Sequence, residues 1–102
     1  MITNGFGNPQ NDTIASLRVF GNQLYAVTKN STTGLEVWHT SDGTNWQQAG
    51  FAGFGNGNNS IPFMDNSMTV FNNSLFIGTT NWANGGEVWQ MMHQLYLPLI
   101  KR

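Results

Sequence analysis

Cysteine is absent from this 102-residue sequence, so no disulfide or thiolate site exists. Charge is nearly absent too: Asp, Glu, Lys and Arg make up 9% of the chain, and the formal net charge is -1. Four Lys and Arg residues are too few to neutralise many phosphates, so nucleic acid is not an expected partner. No apolar run approaches the ~20 residues of a helical membrane span, so a membrane is not expected either. The opening MITNGFGN lacks a basic segment followed by an apolar run, so no signal peptide is expected in this chain. Helical periodicity is missing as well; apolar residues recur with a period of two almost throughout. What is present is a 13% share of aromatics, 12 glycines and abundant Asn. That mixture fits short strands joined by tight turns, and it is not the composition of a disordered chain.

The sequence repeats itself. Residues 17–46 recur at 68–97 with a constant shift of 51, as in Val19/Val70, Phe20/Phe71, Leu24/Leu75, Thr28/Thr79 and Asn30/Asn81. Gly34/Gly85, Glu36/Glu87, Val37/Val88 and Trp38/Trp89 continue the series without a gap. GFGN at 5–8 returns at 53–56, a shift of 48, because the second connector carries three more residues. A strand-rich repeat of this length marks stacked units, most often propeller blades. The expected fold is therefore all-β: a β-propeller with two four-stranded antiparallel blades per chain. The first blade with its connector takes residues 1–49, and the second blade with its tail takes 50–102.

Strands are expected over 14–20, 23–29, 35–40 and 46–49, and then over 67–71, 74–80, 87–92 and 94–100. Gly21-Asn22 is a two-residue hairpin signal. Residues 1–13 read as a loop, since Gly5, Gly7, Asn8, Pro9, Asn11 and Asp12 are turn formers. Lys101 and Arg102 are expected in solvent. Both strand faces carry apolar residues, as in a sheet packed between two others.

The turn T-S-D-G-T-N-W at 40–46 resembles the Asp-box of sialidase-like propeller repeats, S-x-D-x-G-x-x-W, with one residue fewer between Asp42 and Trp46. LYAVT…GLEVWHTSDGTNW as a whole is similar to repeats of bacterial secreted propellers. The tail HQLYLPLIKR resembles the ends of some bacterial secreted proteins. The resemblance implies that the box turns the third strand into the fourth. It also implies that Asp42 caps backbone N–H groups, Gly43 takes a positive φ and Trp46 buries its ring. An extracellular or cell-surface location in a bacterium is a further implication. The arginine cluster of sialidases cannot be built here, because the only arginines are Arg18 and Arg102.

Glu36 and Glu87 each precede Val-Trp, and two readings are open for them: sugar-hydroxyl acceptors or a general acid, against carboxylates held by neighbouring donors. Recurrence in both units favours the structural reading, which also takes in Trp38 and Trp89. No catalytic residue is assigned: GxSxG, HExxH and Walker patterns are absent, and paired acids could meet only through ring symmetry. A lone Asp42 is a poor calcium ligand, so no metal and no cofactor are expected. Binding is expected at rim loops. Phe6, Phe54 and Trp82 offer faces for sugar rings, while Asn8, Asn56, Asn58 and Asn81 offer amides to hydroxyls. The competing reading packs the Phe rings internally and uses the Asn residues in turns. Trp82 has no aromatic counterpart in the first unit, so the repeat does not require it.

Two blades cannot close a ring. Their outer faces would be wet and apolar, and such patches call for a partner. The expected partner is the chain itself, in a cyclic trimer or tetramer that gives six or eight blades, within the roughly four to eight of known propellers. A neutral glycan is the expected ligand. The alternatives are a structural two-blade fragment or engineered piece of a larger secreted propeller with no ligand of its own and, last in order, a hydrolase working through Glu36 or Glu87.

Overall fold

A computed structural model describes residues 2–61, 68–92 and 100–101. Within them the chain is all-β and forms two antiparallel sheets. The first runs β1 (Thr13–Phe20), β2 (Gln23–Lys29), β3 (Val37–Thr40) and β4 (Gln47–Ala49) in sequence order. The second runs β5 (Met68–Phe71), β6 (Ser74–Gly78), β7 (Val88–Met92) and β8 (Ile100–Lys101) in the same order.

The hairpins explain this order. Gly21 and Asn22 take φ of 59 and 65, and Asn72 and Asn73 take 55 and 61. Two successive left-handed residues form the tight turn whose twist matches that of paired strands, so each first strand folds straight back on the second. Phe20 then lies opposite Gln23, and Phe71 opposite Ser74. A bulge between Ile14 and Ser16 shifts the register of β1.

Several strand boundaries differ from expectation, and at the start of β3 and the end of β6 the backbone is taken by another segment. β3 begins at Val37 and not at residue 35 because the backbone of Leu35 is engaged elsewhere. Its N–H donates to the Asn59 carbonyl at 2.9 Å, and its carbonyl accepts from the Gly53 N–H at 2.6 Å. In the second sheet β7 begins at Val88, and β6 stops at Gly78. Thr80 leaves that ladder to exchange two backbone bonds with Ser60. The expected strand over 94–100 falls mostly outside the described residues. The backbone of Lys101 pairs with Trp89 in the ladder.

The expected loops around GFGN hold single turns of helix at Asn4–Gly7 and Ala52–Gly55. They are not ordinary right-handed turns. Phe6 sits at φ 60, ψ 33 and Phe54 at φ 54, ψ 37, a region that costs a bulky residue conformational energy.

The core lies between the sheets. Phe20, Tyr25, Val27 and Val37 on one face of the first sheet join Met68, Leu75, Ile77 and Met91 on one face of the second. Leu35 and Ile61, both fully buried, plug the connector side. Arg18 clasps the two sheets, its Nε and Nη2 donating to the Met68 carbonyl at 3.2 and 3.0 Å.

Ile77 is 0% exposed and Phe51 is 79% exposed. Ile77→Ala is expected to cost about 2–5 kcal/mol, whereas Phe51→Ala should stay within roughly 0.5 kcal/mol. Urea unfolding of both variants measures the contrast.

Candidate functional site: the cleft between the sheets

Each sheet carries the same polar hub, and the hub decides which side chains remain available at the rim. In the first sheet Glu36, 7% exposed, accepts at Oε1 from Asn11 Nδ2 (2.8 Å) and from the Trp38 indole N–H (2.9 Å). Asn11 Oδ1 in turn accepts from Thr28 Oγ1 (3.0 Å) and Asn30 Nδ2 (2.8 Å). In the second sheet Glu87 Oε1 accepts from Asn59 Nδ2 (3.1 Å) and the Trp89 indole N–H (2.9 Å). Asn81 Nδ2 donates to Asn59 Oδ1 at 2.8 Å. A buried carboxylate without donors would be costly; two donors on one oxygen offset that.

The hub places the sequence candidates. Phe6 stacks on Trp38 with ring centroids 4.8 Å apart and planes 6° apart, and its edge meets Trp46 at 5.3 Å. Phe54 packs on Trp89 at 4.6 Å. Both rings therefore serve their own sheet instead of standing open at the rim. Asn8 and Asn56 each close a short turn, accepting at Oδ1 from the N–H two residues on. Asn81 is buried, and its Oδ1 accepts from the Ala83 and Asn84 N–H groups at 3.0 and 2.7 Å. Its amide is fully used by the protein.

Trp82 is different. The Asn81 turn projects it outward, and it is 96% exposed. It borders a cleft of about 400 Å³ lined also by Lys29, Ser31, Asn58, Ser60 and Thr80. The cleft exists because the connector crosses between the two sheets and is held to the second by the Ser60–Thr80 bridge. Its walls offer three hydroxyls, one amide and one ammonium beside a flat apolar ring. The Lys29 ammonium lies 3.8 Å from the Asp12 carboxylate.

The turn at 40–46 is built around Asp42 and Gly43. Asp42 Oδ1 accepts from the N–H groups of Thr44 and Asn45, both at 2.8 Å, and Gly43 has φ 81. These donors, with the Asn45 amide and the Thr40 hydroxyl, hold the Asp42 carboxyl well below its ordinary pKa although the residue is exposed. Trp46 lies just before β4 and is half-buried beside Phe6. His39 bonds Gln23 across the β2–β3 pair, and burial lowers its pKa.

Two hub members, Asn11 and Asn59, were not singled out by the sequence reading. The signal was present: both stand three residues beyond a GFGN. No protein-family model, curated protein or solved structure matches this chain.

Asn59→Ala strips Glu87 of one donor and is expected to cost roughly 1–3 kcal/mol in chemical denaturation. Asp42 is expected to remain ionised at about pH 3, below the ordinary Asp value of ~3.9. Its folded pKa is depressed, so its stabilisation is complete above the unfolded value and is lost as pH falls through the folded one. Carboxyl-carbon NMR titration checks this; a midpoint at the ordinary value would contradict it.

Proposed function

We propose that the chain is a binding module built from two β-propeller blades, taking a neutral glycan in the cleft beside Trp82 and closing into a ring with copies of itself. The observation that carries the binding reading is an indole 96% exposed at the mouth of a polar cleft. Leaving so large an apolar ring in water has no structural return, since Ser31 stands in its place in the first unit. A sugar presents C–H faces for the ring and hydroxyls for Asn58, Ser31, Ser60 and Thr80. Such a ligand also fits the extracellular setting implied by the Asp-box resemblance. No catalytic step forms part of this reading.

Ring formation is supported by matched positions with unmatched burial. Phe20 is 6% exposed and Phe71 65%; Val37 is 1% exposed and Val88 45%; Met68 is 1% exposed and Leu17 56%. Each pair occupies one position of the repeat, covered where the sheets meet and bare on the outer flank. Apolar burial is worth roughly 25 cal/mol per Å², so covering both flanks with further blades favours association. A ring repeats the cleft, and several weak sites on one scaffold bind a multivalent glycan by avidity. The second reading, a structural unit without a ligand, draws on the internal use of Phe6, Phe54 and Asn81.

Titration of tryptophan fluorescence with a panel of neutral oligosaccharides tests the binding. We expect a hit whose affinity falls about tenfold or more, equivalent to ~1.4 kcal/mol, in Trp82→Ala. No response across the panel, or an unchanged Trp82→Ala, favours the ligand-free scaffold.

A further inference from the structure

We propose that residues 5–11 of one copy seat on the Gly85–Gly86 turn of the next, repeating between chains a backbone clasp that the structure contains once within the chain. This rests on the ring reading above and specifies its joint.

The intact clasp joins residues 53–59 to Gly34 and Leu35. Leu35 donates its N–H to the Asn59 carbonyl and accepts from the Gly53 N–H, at 2.9 and 2.6 Å. The approach is so close that a Cβ on Gly34 would stand 2.7 Å from Gly53 Cα and 2.9 Å from the Asn59 oxygen. Only glycine fits there.

Both halves of this clasp recur with the same hydrogen bonds, although the first connector is drawn tighter: a Cβ on Gly5 would stand 2.6 Å from the Asn11 oxygen, against 3.7 Å from Gly53 to the Asn59 oxygen. On the connector side, Asn8 N–H donates to the Gly5 carbonyl at 3.2 Å, as Asn56 does to Gly53 at 3.0 Å. The Asn11 side-chain amide bonds the Gly5 carbonyl at 2.9 Å, as Asn59 bonds Gly53 at 3.0 Å. On the turn side, Gly34 and Gly85 share φ 93, and their N–H groups donate to the Asn30 and Asn81 carbonyls at 3.1 and 2.9 Å. Gly34 is buried and Gly85 exposed; Leu35 is buried and its counterpart Gly86 exposed. Among the described residues, no backbone bond joins Gly86 to another segment.

The two unmatched halves lie on opposite flanks, with the exposed Leu17 and Val19 beside one and Phe71 and Val88 beside the other. That arrangement is head-to-tail, and repeated head-to-tail contacts close into a ring where the rotation from copy to copy closes and run on as a filament where it does not. In the joint the Asn11 carbonyl accepts from Gly86 N–H of the next copy, and Gly5 N–H donates to the Gly86 carbonyl. Thr69 stands in the place of Arg18, so the joint between copies lacks the arginine clasp and is weaker than the one inside the chain.

The absence of cysteine makes a clean test. Inside the chain, a Cβ on Gly57 would lie 3.6 Å from the Thr33 backbone oxygen, which makes these two neighbouring positions the control pair for cross-linking. The same positions across the joint are Pro9 and Asn84, both exposed. Pro9→Cys/Asn84→Cys, oxidised mildly, is expected to give a covalent ladder ending in a closed ring. Thr33→Cys/Gly57→Cys serves as the control and should cross-link within one chain. If the unmodified chain is multimeric by light scattering and the control cross-links, but positions 9 and 84 do not, the joint is wrong and the ring reading survives. A single-chain mass at all concentrations overturns both. A disulfide between 9 and 84 within one chain overturns the joint.

Discussion

The structure depends on a carboxylate held between an amide and an indole. Glu36 and Glu87 are tied to Asn11 and Asn59 on the connector side and to Trp38 and Trp89 on the strand side. In a chain with so little charge, Glu36 is buried and Glu87 half-buried, and each is held by its donors. Meeting that need fixes much else. The amide pins the connector against the sheet, and the connector carries a Phe that lands on the Trp ring. The left-handed backbone at Phe6 and Phe54 is thereby held in place by contacts on both sides.

From this follows the order of the sheets. Each connector is locked to its own sheet, while residues 53–59 also clasp Leu35 of the sheet before. The two sheets therefore meet by unlike faces, one bearing Phe20 and Val37 and the other Met68 and Ile77. The cleft at Trp82 is a by-product of the same crossing, since its floor is the connector and its walls are the ends of equivalent strands. The proposed binding cleft and the proposed joint between copies thus share one structural cause.

Much of the fold was legible in the sequence. Gly21-Asn22 marked the first hairpin, and β2 has the limits its alternation suggested. The constant shift paired Glu36 with Glu87 and Trp38 with Trp89, which is why their shared structural role could be read in advance. Less of the site was legible. For Phe6 and Phe54 the sequence left both a sugar platform and internal packing open, because spacing does not reveal that Trp38 and Trp89 take their faces. Asn11 and Asn59 escaped because the connector repeats with a different shift from the strands, so their hydrogen bonds to Glu36 and Glu87 cross two registers. Nor does alternation reveal where a strand will yield its backbone to a neighbour, as Leu35 does.

The double allegiance of residues 53–59 has a last consequence. The covalent repeat and the mechanical repeat are out of phase. A piece cut after residue 49 would retain every strand of the first sheet yet lose the partners of Leu35, whereas a piece cut after residue 59 would keep them. Duplication of such a unit therefore propagates cleanly only when the copied stretch carries its neighbour's fastening along with it, and a circular permutant opened inside that fastening would leave one sheet undone at its seam.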